Sequence, residues 1–205
     1  MKTWRLWVGS LTVLLLGSFQ VQAQTAIVRI EEDWELQVAV PDEQQDAPQI
    51  TTSMLPFGGA SDIMMQWDFN HGTAPDFSPG GMQVRLTNDG QTTLSRRLYS
   101  GVKLSRDSET VRWTQVVHDE GNQFFIGIVN GSSYTWGSFG GSGAFISVAD
   151  AGNQTLNNYT PQDSIQNSSV TFASNRVSSL ILRRIRLFNS LGQVSEIALD
   201  TQINQ

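Results

Sequence analysis

The stretch Ile30-Glu31-Glu32-Asp33-Trp34-Glu35-Leu36-Gln37-Val38 decides the fold class. Apolar and polar residues alternate along it, and a period of two is typical of a strand with one buried face. The buried face is predicted to carry Trp34, Leu36 and Val38. The outer face is predicted to carry Glu31, Asp33, Glu35 and Gln37. The same alternation places the carboxylate of Glu32 on the core side.

The same pattern returns along the rest of the chain. Apolar residues at alternate positions, separated by a short polar turn at residues 119–122, predict a hairpin from Val111, Trp113 and Val117 to Phe124, Ile126 and Ile128. Further strands are predicted for residues 49–55, 63–69, 83–87, 94–99, 143–148, 169–172, 177–188 and 193–199. Predicted turn dipeptides are Asp89-Gly90, Asn130-Gly131, Gly140-Gly141 and Leu191-Gly192.

No stretch after residue 23 carries a helical stripe, so the sequence predicts an all-β protein, an antiparallel β-sandwich. Residues 24–205 are expected to form a single domain, with surface loops at residues 41–48 and 150–168. No internal repeat and no linker divides this stretch.

Composition excludes several classes of function. The 205 residues contain no cysteine, so a disulfide, a thiolate nucleophile and a Cys-ligated metal are all excluded. The formal net charge of −6 is the wrong sign for a surface that binds duplex nucleic acid, and no nucleic-acid partner is expected.

Residues 1–23 have the three parts of a signal peptide. Lys2 and Arg5 give a positive start, an apolar run spans residues 6–19, and Val21 and Ala23 supply the light residues that signal peptidase requires. Cleavage after Ala23 takes the formal net charge from −6 to −8. We expect a secreted, periplasmic or cell-surface protein with no stable membrane anchor, and the short signal and missing disulfides favour a bacterial host.

The acidic cluster at the start of the first strand has a specific chemical interpretation. Alternate residues of a strand lie roughly 6–7 Å apart on one face, and a retaining glycosidase uses two carboxyl groups about 5–5.5 Å apart. The E-x-D-x-E pattern resembles that of laminarinase and lichenase-type glycoside hydrolases, which are jelly-roll sandwiches. The resemblance implies Glu31 as nucleophile, Asp33 as its modulator and Glu35 as acid/base.

A second interpretation of the same cluster is electrostatic. Arg184 and Arg186 share one face of the predicted strand near the other end of the chain, and terminal strands often pair in sandwiches. Cross-strand ion pairs between these arginines and the acidic row are then expected.

The segment from Asn130 to Gly143 offers a candidate binding surface. Its aromatic residues are separated by glycines and small hydroxyl residues, which can form an open platform for a sugar ring. The candidate ligand-binding residues are Asn130, Tyr134, Trp136 and Phe139. The alternative is that Trp136 and Phe139 belong to the core at a strand end, with the glycines permitting close backbone approach.

Oxygen ligands also gather near the predicted hairpin turn. Asp119, Glu120 and Asn122 could hold a calcium ion, although a solvated hairpin tip explains them as well. His71 and His118 are the only histidines, and the chain has no G-x-S-x-G elbow, so a serine triad is not expected.

Together these features favour an exported non-catalytic binding or surface module, with carbohydrate as one candidate ligand. The segment Trp136-Gly137-Ser138-Phe139-Gly140-Gly141 and the architecture resemble concanavalin A-like and laminin-G-like jelly rolls, and the chain is similar to secreted bacterial proteins of this size. The resemblance implies a glycan or an extracellular surface protein as partner. The alternatives are a small retaining glycoside hydrolase using Glu31 and Glu35, and a structural envelope or matrix protein.

The signal-peptide hypothesis predicts a single mature amino terminus. When the full chain is produced in a bacterium, the exported protein should begin at Gln24, as read by amino-terminal sequencing and intact mass. The variant Ala23→Tyr, which places a bulky ring where the peptidase needs a small side chain, should accumulate uncleaved. An exported wild-type chain that still begins at Met1 would contradict the hypothesis.

Overall fold

The protein is an all-β sandwich in a computed structural model that describes residues 25–40, 47–73, 78–99, 101–149 and 154–203. In these residues the strands are β1 (Ile27–Val38), β2 (Gln49–Met54), β3 (Ile63–Phe69), β4 (Gly72–Thr73), β5 (Ser78–Pro79), β6 (Met82–Asn88), β7 (Gln91–Leu98), β8 (Thr110–Asp119), β9 (Gln123–Ser133), β10 (Gly137–Phe139), β11 (Ile146–Ala149), β12 (Ser169–Phe172), β13 (Val177–Asn189) and β14 (Val194–Gln202). The helical elements are α1 (Pro161–Gln166) and three 3₁₀ turns, Ser142–Ala144, Leu156–Asn158 and Ser174–Arg176.

The strands form two antiparallel sheets that pack face to face. The seven-stranded sheet has the order β10-β9-β8-β1-β13-β14, and β11 also pairs with β9. The five-stranded sheet has the order β12-β2-β3-β6-β7, and β4 and β5 form a separate small hairpin. The prediction of an antiparallel β-sandwich is therefore confirmed.

The strand β1 lies near the middle of the larger sheet, between β8 and β13. Its inward side chains Ile30, Glu32, Trp34, Leu36 and Val38 are all at most 1% exposed. The period-two prediction is confirmed, including the placement of Glu32 in the core. The predicted hairpin is also confirmed as β8 and β9, which are directly paired.

The core between the sheets is rich in aromatic rings. Trp34 stacks on Trp113 with ring centroids 6.2 Å apart, and Phe69 of the opposite sheet lies 4.5 Å from the same Trp113 ring. Trp67 donates its indole N–H across the interface to the carbonyl oxygen of Gly127 at 3.0 Å. These rings bury large apolar areas, and the burial stabilises the sandwich without a disulfide.

Two local predictions are wrong. The dipeptide Asn130-Gly131 is not a turn, because β9 runs through it; a Cβ at position 131 would collide with the Phe139 ring, so the glycine serves close packing. The predicted loop 150–168 contains α1 and buries Leu156, Tyr159 and Ser164 against the core. Residues 41–46 and 150–153 of the two predicted loops, and the whole of residues 1–23, lie outside the described residues.

The part of the chain that the structure describes has no helix with the length and hydropathy needed to cross a membrane.

The buried carboxylate of Glu32 is the polar centre of the core. It accepts hydrogen bonds from Trp34 Nε1 at 2.9 Å and Gln115 Nε2 at 2.6 Å on one oxygen. The other oxygen accepts from the hydroxyl groups of Tyr159 at 2.7 Å and Ser164 at 2.6 Å. Glu32 thereby ties two neighbouring strands to the segment that carries α1.

Removal of this carboxylate should be costly. We expect Glu32→Ala to lower the free energy of unfolding by about 3 kcal/mol or more, because four buried donors lose their acceptor. Urea unfolding followed by tryptophan fluorescence measures the change. The control Glu196→Ala removes a carboxylate that is 52% exposed and paired with Arg184, and should change stability by about 0.5 kcal/mol or less. Equal effects of the two variants would contradict the role assigned to Glu32.

Candidate functional site

The predicted acidic row lies on the outer face of the larger sheet and is bound by arginines. Glu31 is opposite Arg186 and Asp33 is opposite Arg184 in the register of β1 and β13. Arg186 contacts Glu31 at 2.8 Å, and Arg184 contacts Asp33 at 2.6 Å. The predicted cross-strand ion pairs are therefore confirmed.

The third carboxylate of the row is held from both neighbouring strands. Arg183 donates to Glu35 Oε1 at 2.6 Å, and Arg112 donates to Glu35 Oε2 at 2.7 Å. The hydrogen bond from Arg183, with a further contribution from Arg112, holds the pKa of Glu35 below its ordinary value. A glycosidase acid needs a raised pKa so that it is protonated when it acts. The arrangement therefore does not fit Glu35 as the acid of a retaining hydrolase.

The aromatic segment does not form an open platform of three rings. Trp136 is 9% and Phe139 is 6% exposed. Trp136 stacks on Phe69 at 5.8 Å and on Tyr99 at 5.7 Å, so it closes one end of the core. Tyr134 is 70% exposed, and the guanidinium of Arg106 lies over its ring.

Asn130 lies beside Phe139, and the two residues line one shallow depression. It is exposed on β9 and lines a shallow trough beside Thr114 and Ser132 on the outer face of the larger sheet. Asn130 is exposed, whereas the rings of Trp136 and Phe139 are buried, so these residues do not form one open binding surface.

The hairpin tip between β8 and β9 uses its carboxylates locally. Asp119 Oδ1 accepts a hydrogen bond from the backbone N–H of Gly121 at 2.6 Å, and Glu120 lies 3.7 Å from His118 Nε2. Among the described residues no group of three or more His, Asp or Glu side chains is placed to hold a metal ion. Calcium binding by Asp119, Glu120 and Asn122 stays a prediction.

Glu32 is sealed from solvent and does not offer a reaction site. Burial raises the pKa of Glu32 above its ordinary value, although its four hydrogen-bond donors oppose that shift. Burial also raises the pKa of Tyr159 well above its ordinary value, which keeps that hydroxyl a donor. A substrate cannot reach a carboxylate that is 0% exposed, so we assign Glu32 to stability.

An open polar cavity lies on the outer face of the five-stranded sheet. Its volume is about 510 Å³, compared with about 440 Å³ for the trough on the larger sheet. Its walls come from all five strands of the sheet and from the turn after β3. The lining includes Thr51, Asp68, His71, Gln83, Arg85 and Arg97. The register aligns Thr51 with Asp68, Asp68 with Gln83, and Gln83 with Arg97, so these residues form one row across the sheet.

The middle of this row is buried although it faces outward. Thr51, Asp68 and Gln83 are at most 9% exposed. Thr51 Oγ1 donates to Asp68 Oδ1 at 2.7 Å, and Arg85 donates to both oxygens of Asp68, at 2.7 and 3.3 Å. The carboxylate and the guanidinium fix each other in a two-point geometry that favours rigid positioning.

Besides Asp68 and Arg85, the titratable side chains in the described lining of the cavity are those of His71 and Arg97. Backbone hydrogen bonds to Gly81 and from Gly80 anchor His71 in the turn after β3. Burial, followed by the charge of Arg97, lowers the pKa of His71 below its ordinary value, so the imidazole is neutral at pH 7. Within the described ranges Arg97 forms no ion pair with a carboxylate.

Sequence analysis did not identify this cavity. Its signal is present as alternating polar positions in three strands: Asp68 in β3, Gln83 and Arg85 in β6, and Ser95 and Arg97 in β7. Such alternation predicts a solvated strand face, and only the register brings these positions into one row.

Comparison with solved structures finds distant similarity. A crystal structure of scytalido-glutamic peptidase with a peptide-based transition state analog has a TM-score of 0.39 and 9% sequence identity, covering 85% of this chain and 82% of that chain. A crystal structure of the same peptidase with a transition state analog inhibitor has a TM-score of 0.32 and 8% identity, covering 88% of this chain and 79% of that chain. No family model and no curated protein matches the chain. At these values the similarity transfers neither an activity nor a site.

The expected function is corrected. The solved structures found to be similar are those of a peptidase, whereas the expected function was an exported non-catalytic binding or surface module. The buried Trp136 and Phe139 and the arginine-bound Glu35 also remove the arrangements from which a carbohydrate platform and a glycosidase were inferred. The carbohydrate-binding, glycoside hydrolase and structural envelope hypotheses are not carried further.

The electrostatics of the cavity predict a measurable shift. In Arg97→Gln the pKa of His71 should rise towards its ordinary value, because the nearby positive charge that disfavours the imidazolium form is gone. Proton NMR titration of the His71 ring measures this.

The adjacent Arg96 provides the matched control. Arg96 projects to the other face of β7 and donates to the carbonyl oxygen of Phe145 at 3.0 Å, so Arg96→Gln removes an equal charge and should leave the pKa of His71 unchanged. An equal change in the pKa of His71 in both variants would contradict the assignment of the shift to Arg97.

Proposed function

We propose that the protein is an enzyme that acts on a small anionic substrate in the polar cavity of the five-stranded sheet, with His71 as general base. One observation supports this most directly: the same open cavity is lined by a neutral imidazole and by a guanidinium that has no carboxylate partner among the described residues.

The charge of the cavity supports an anionic substrate. Arg85 is neutralised by its two-point contact with Asp68, so Arg97 leaves an excess of positive charge on this face. A guanidinium binds a carboxylate or a phosphate through two parallel hydrogen bonds. Arg97 is therefore the proposed anchor of the substrate's anionic group.

The state of His71 supports its role as a base. Because its pKa lies below the ordinary value, the imidazole is unprotonated at neutral pH and can accept a proton from water or from a substrate hydroxyl. A bound anion offsets the charge of Arg97 and stabilises the imidazolium that then forms. The proton transfer and the anion binding thus reinforce each other.

The buried row supplies a rigid floor for this chemistry. Asp68 is 5% exposed and is held by Thr51 and Arg85, so the floor cannot rearrange without losing three hydrogen bonds. Catalysis benefits from such fixed positions, because the groups need no reorganisation during the reaction.

An activity screen tests the proposal. The probes are p-nitrophenyl phosphate, the monoester of p-nitrophenol with succinate, and a fluorogenic peptide rich in Asp and Glu, each assayed from pH 5 to pH 9. We expect His71→Gln to lower kcat about 100-fold or more on the accepted probe, the usual contribution of general base catalysis. Arg97→Gln should mainly raise KM, because it removes the anchor of the anionic group.

His118 gives the matched control, since it is the other histidine and lies on β8 of the opposite sheet. His118→Gln should retain the wild-type rate. Equal loss in the two histidine variants would contradict the proposal. The proposal would also be contradicted if no probe is turned over and, in addition, inorganic phosphate does not change the pKa of His71.

We also propose that the chain is exported and that its sandwich is a jelly roll of the concanavalin A-like type. The signal-like pattern of residues 1–23 supports export. The non-consecutive neighbours in both sheets, with β1 beside β8 and β13 and with β12 beside β2, support a jelly roll, whose two sheets are joined by crossovers.

A further inference from the structure

A second cavity, independent of the polar one, opens between the two sheets. It has a volume of about 180 Å³ and lies where β9 and β11 of the larger sheet face β3, β6 and β7. Its walls are formed by Phe57, Met65, Leu86 and Phe124. These four side chains are between 1% and 7% exposed.

The lining separates an apolar interior from a polar mouth. Phe57 and Phe124 meet edge to face with ring centroids 4.9 Å apart at the inner wall. Asn88, Thr93 and Gln154 bring amide and hydroxyl groups to the lining, and Asn88 and Thr93 are exposed at the rim. Among the residues that the structure describes, no charged side chain lines this cavity.

We propose that this cavity binds a small neutral aromatic molecule that carries one hydrogen-bonding substituent. An apolar cavity of about 150 Å³ stays dry and takes a benzene-sized molecule, so 180 Å³ admits one ring with a short substituent. An edge-to-face pair of rings offers the geometry that a third aromatic ring prefers. The rim amides and hydroxyl satisfy the substituent, and the uncharged lining disfavours an ionised ligand, which would lose its hydration without a partner.

Methionine-methyl NMR tests the binding at the site itself. Met65 lines the cavity, whereas Met54 and Met82 are equally buried but do not. With ¹³C-methyl methionine in the protein, titration with p-cresol or benzyl alcohol should shift the Met65 signal and leave those of Met54 and Met82 in place. Benzoate and benzylamine, which match the probes in size but carry a charge, should bind at least tenfold more weakly.

Two variants complete the test. Val148 is half-buried, lines the cavity and is paired with the buried Phe124, so its side chain points inward; Val148→Phe should fill the cavity and weaken p-cresol binding at least tenfold. Ser147→Phe adds the same ring at an exposed position of β11 that does not line the cavity, and should bind p-cresol like the wild type.

The proposal is overturned if the Met65 signal of the folded protein does not move with either neutral probe. It is equally overturned if Val148→Phe and Ser147→Phe bind p-cresol with the same affinity. Neither result bears on the polar cavity, whose probes are anionic and whose readout is His71.

Discussion

The buried carboxylate of Glu32 constrains the whole sandwich. An isolated carboxylate in an apolar core is very unfavourable, so the fold has to bring donors to it. Trp34 and Gln115 supply two from the larger sheet, and Tyr159 and Ser164 supply two from the segment around α1. Gln115 in turn accepts a hydrogen bond from Thr52 of the opposite sheet at 2.7 Å, so the network fixes how the two sheets meet.

The alternation that places Glu32 in the core places its acidic neighbours on the outer face of the sheet, where they pair with arginines. On the outer face of the larger sheet, ion pairs match five guanidiniums with five carboxylates: Arg29, Arg112, Arg183, Arg184 and Arg186 with Glu31, Asp33, Glu35, Glu196 and Asp200. Among the described residues of this face, each of these five guanidiniums is therefore already bound to a carboxylate. Its pairs are partly exposed and therefore contribute little stability each, but their register specifies which strands are neighbours.

The strands could be predicted from sequence alone, because apolar and polar residues alternate along a strand that has one buried face. The alternation in β1 and the hairpin of β8 and β9 are examples. The core position of Glu32 follows in the same way, because Glu32 is two residues from both Ile30 and Trp34 and so shares their face of the strand. The helix α1 was missed because six residues are too few to show a helical stripe, and its position depends on the contact of Ser164 with Glu32. The candidate site was missed because Asp68, Arg85 and Arg97 become neighbours only through pairing that a single sequence does not encode locally.

The two outer faces differ in one respect that bears on function. Both carry carboxylates that are paired with guanidiniums. On the smaller sheet, however, Asp68 is paired with Arg85, and Arg97 has no carboxylate partner among the described residues. One unmatched guanidinium can attract an anion to a protein whose net charge is negative, because the solvent screens the charges that lie further from the cavity. The placement of a neutral imidazole beside that guanidinium is what turns a charged surface into a candidate for proton-transfer chemistry.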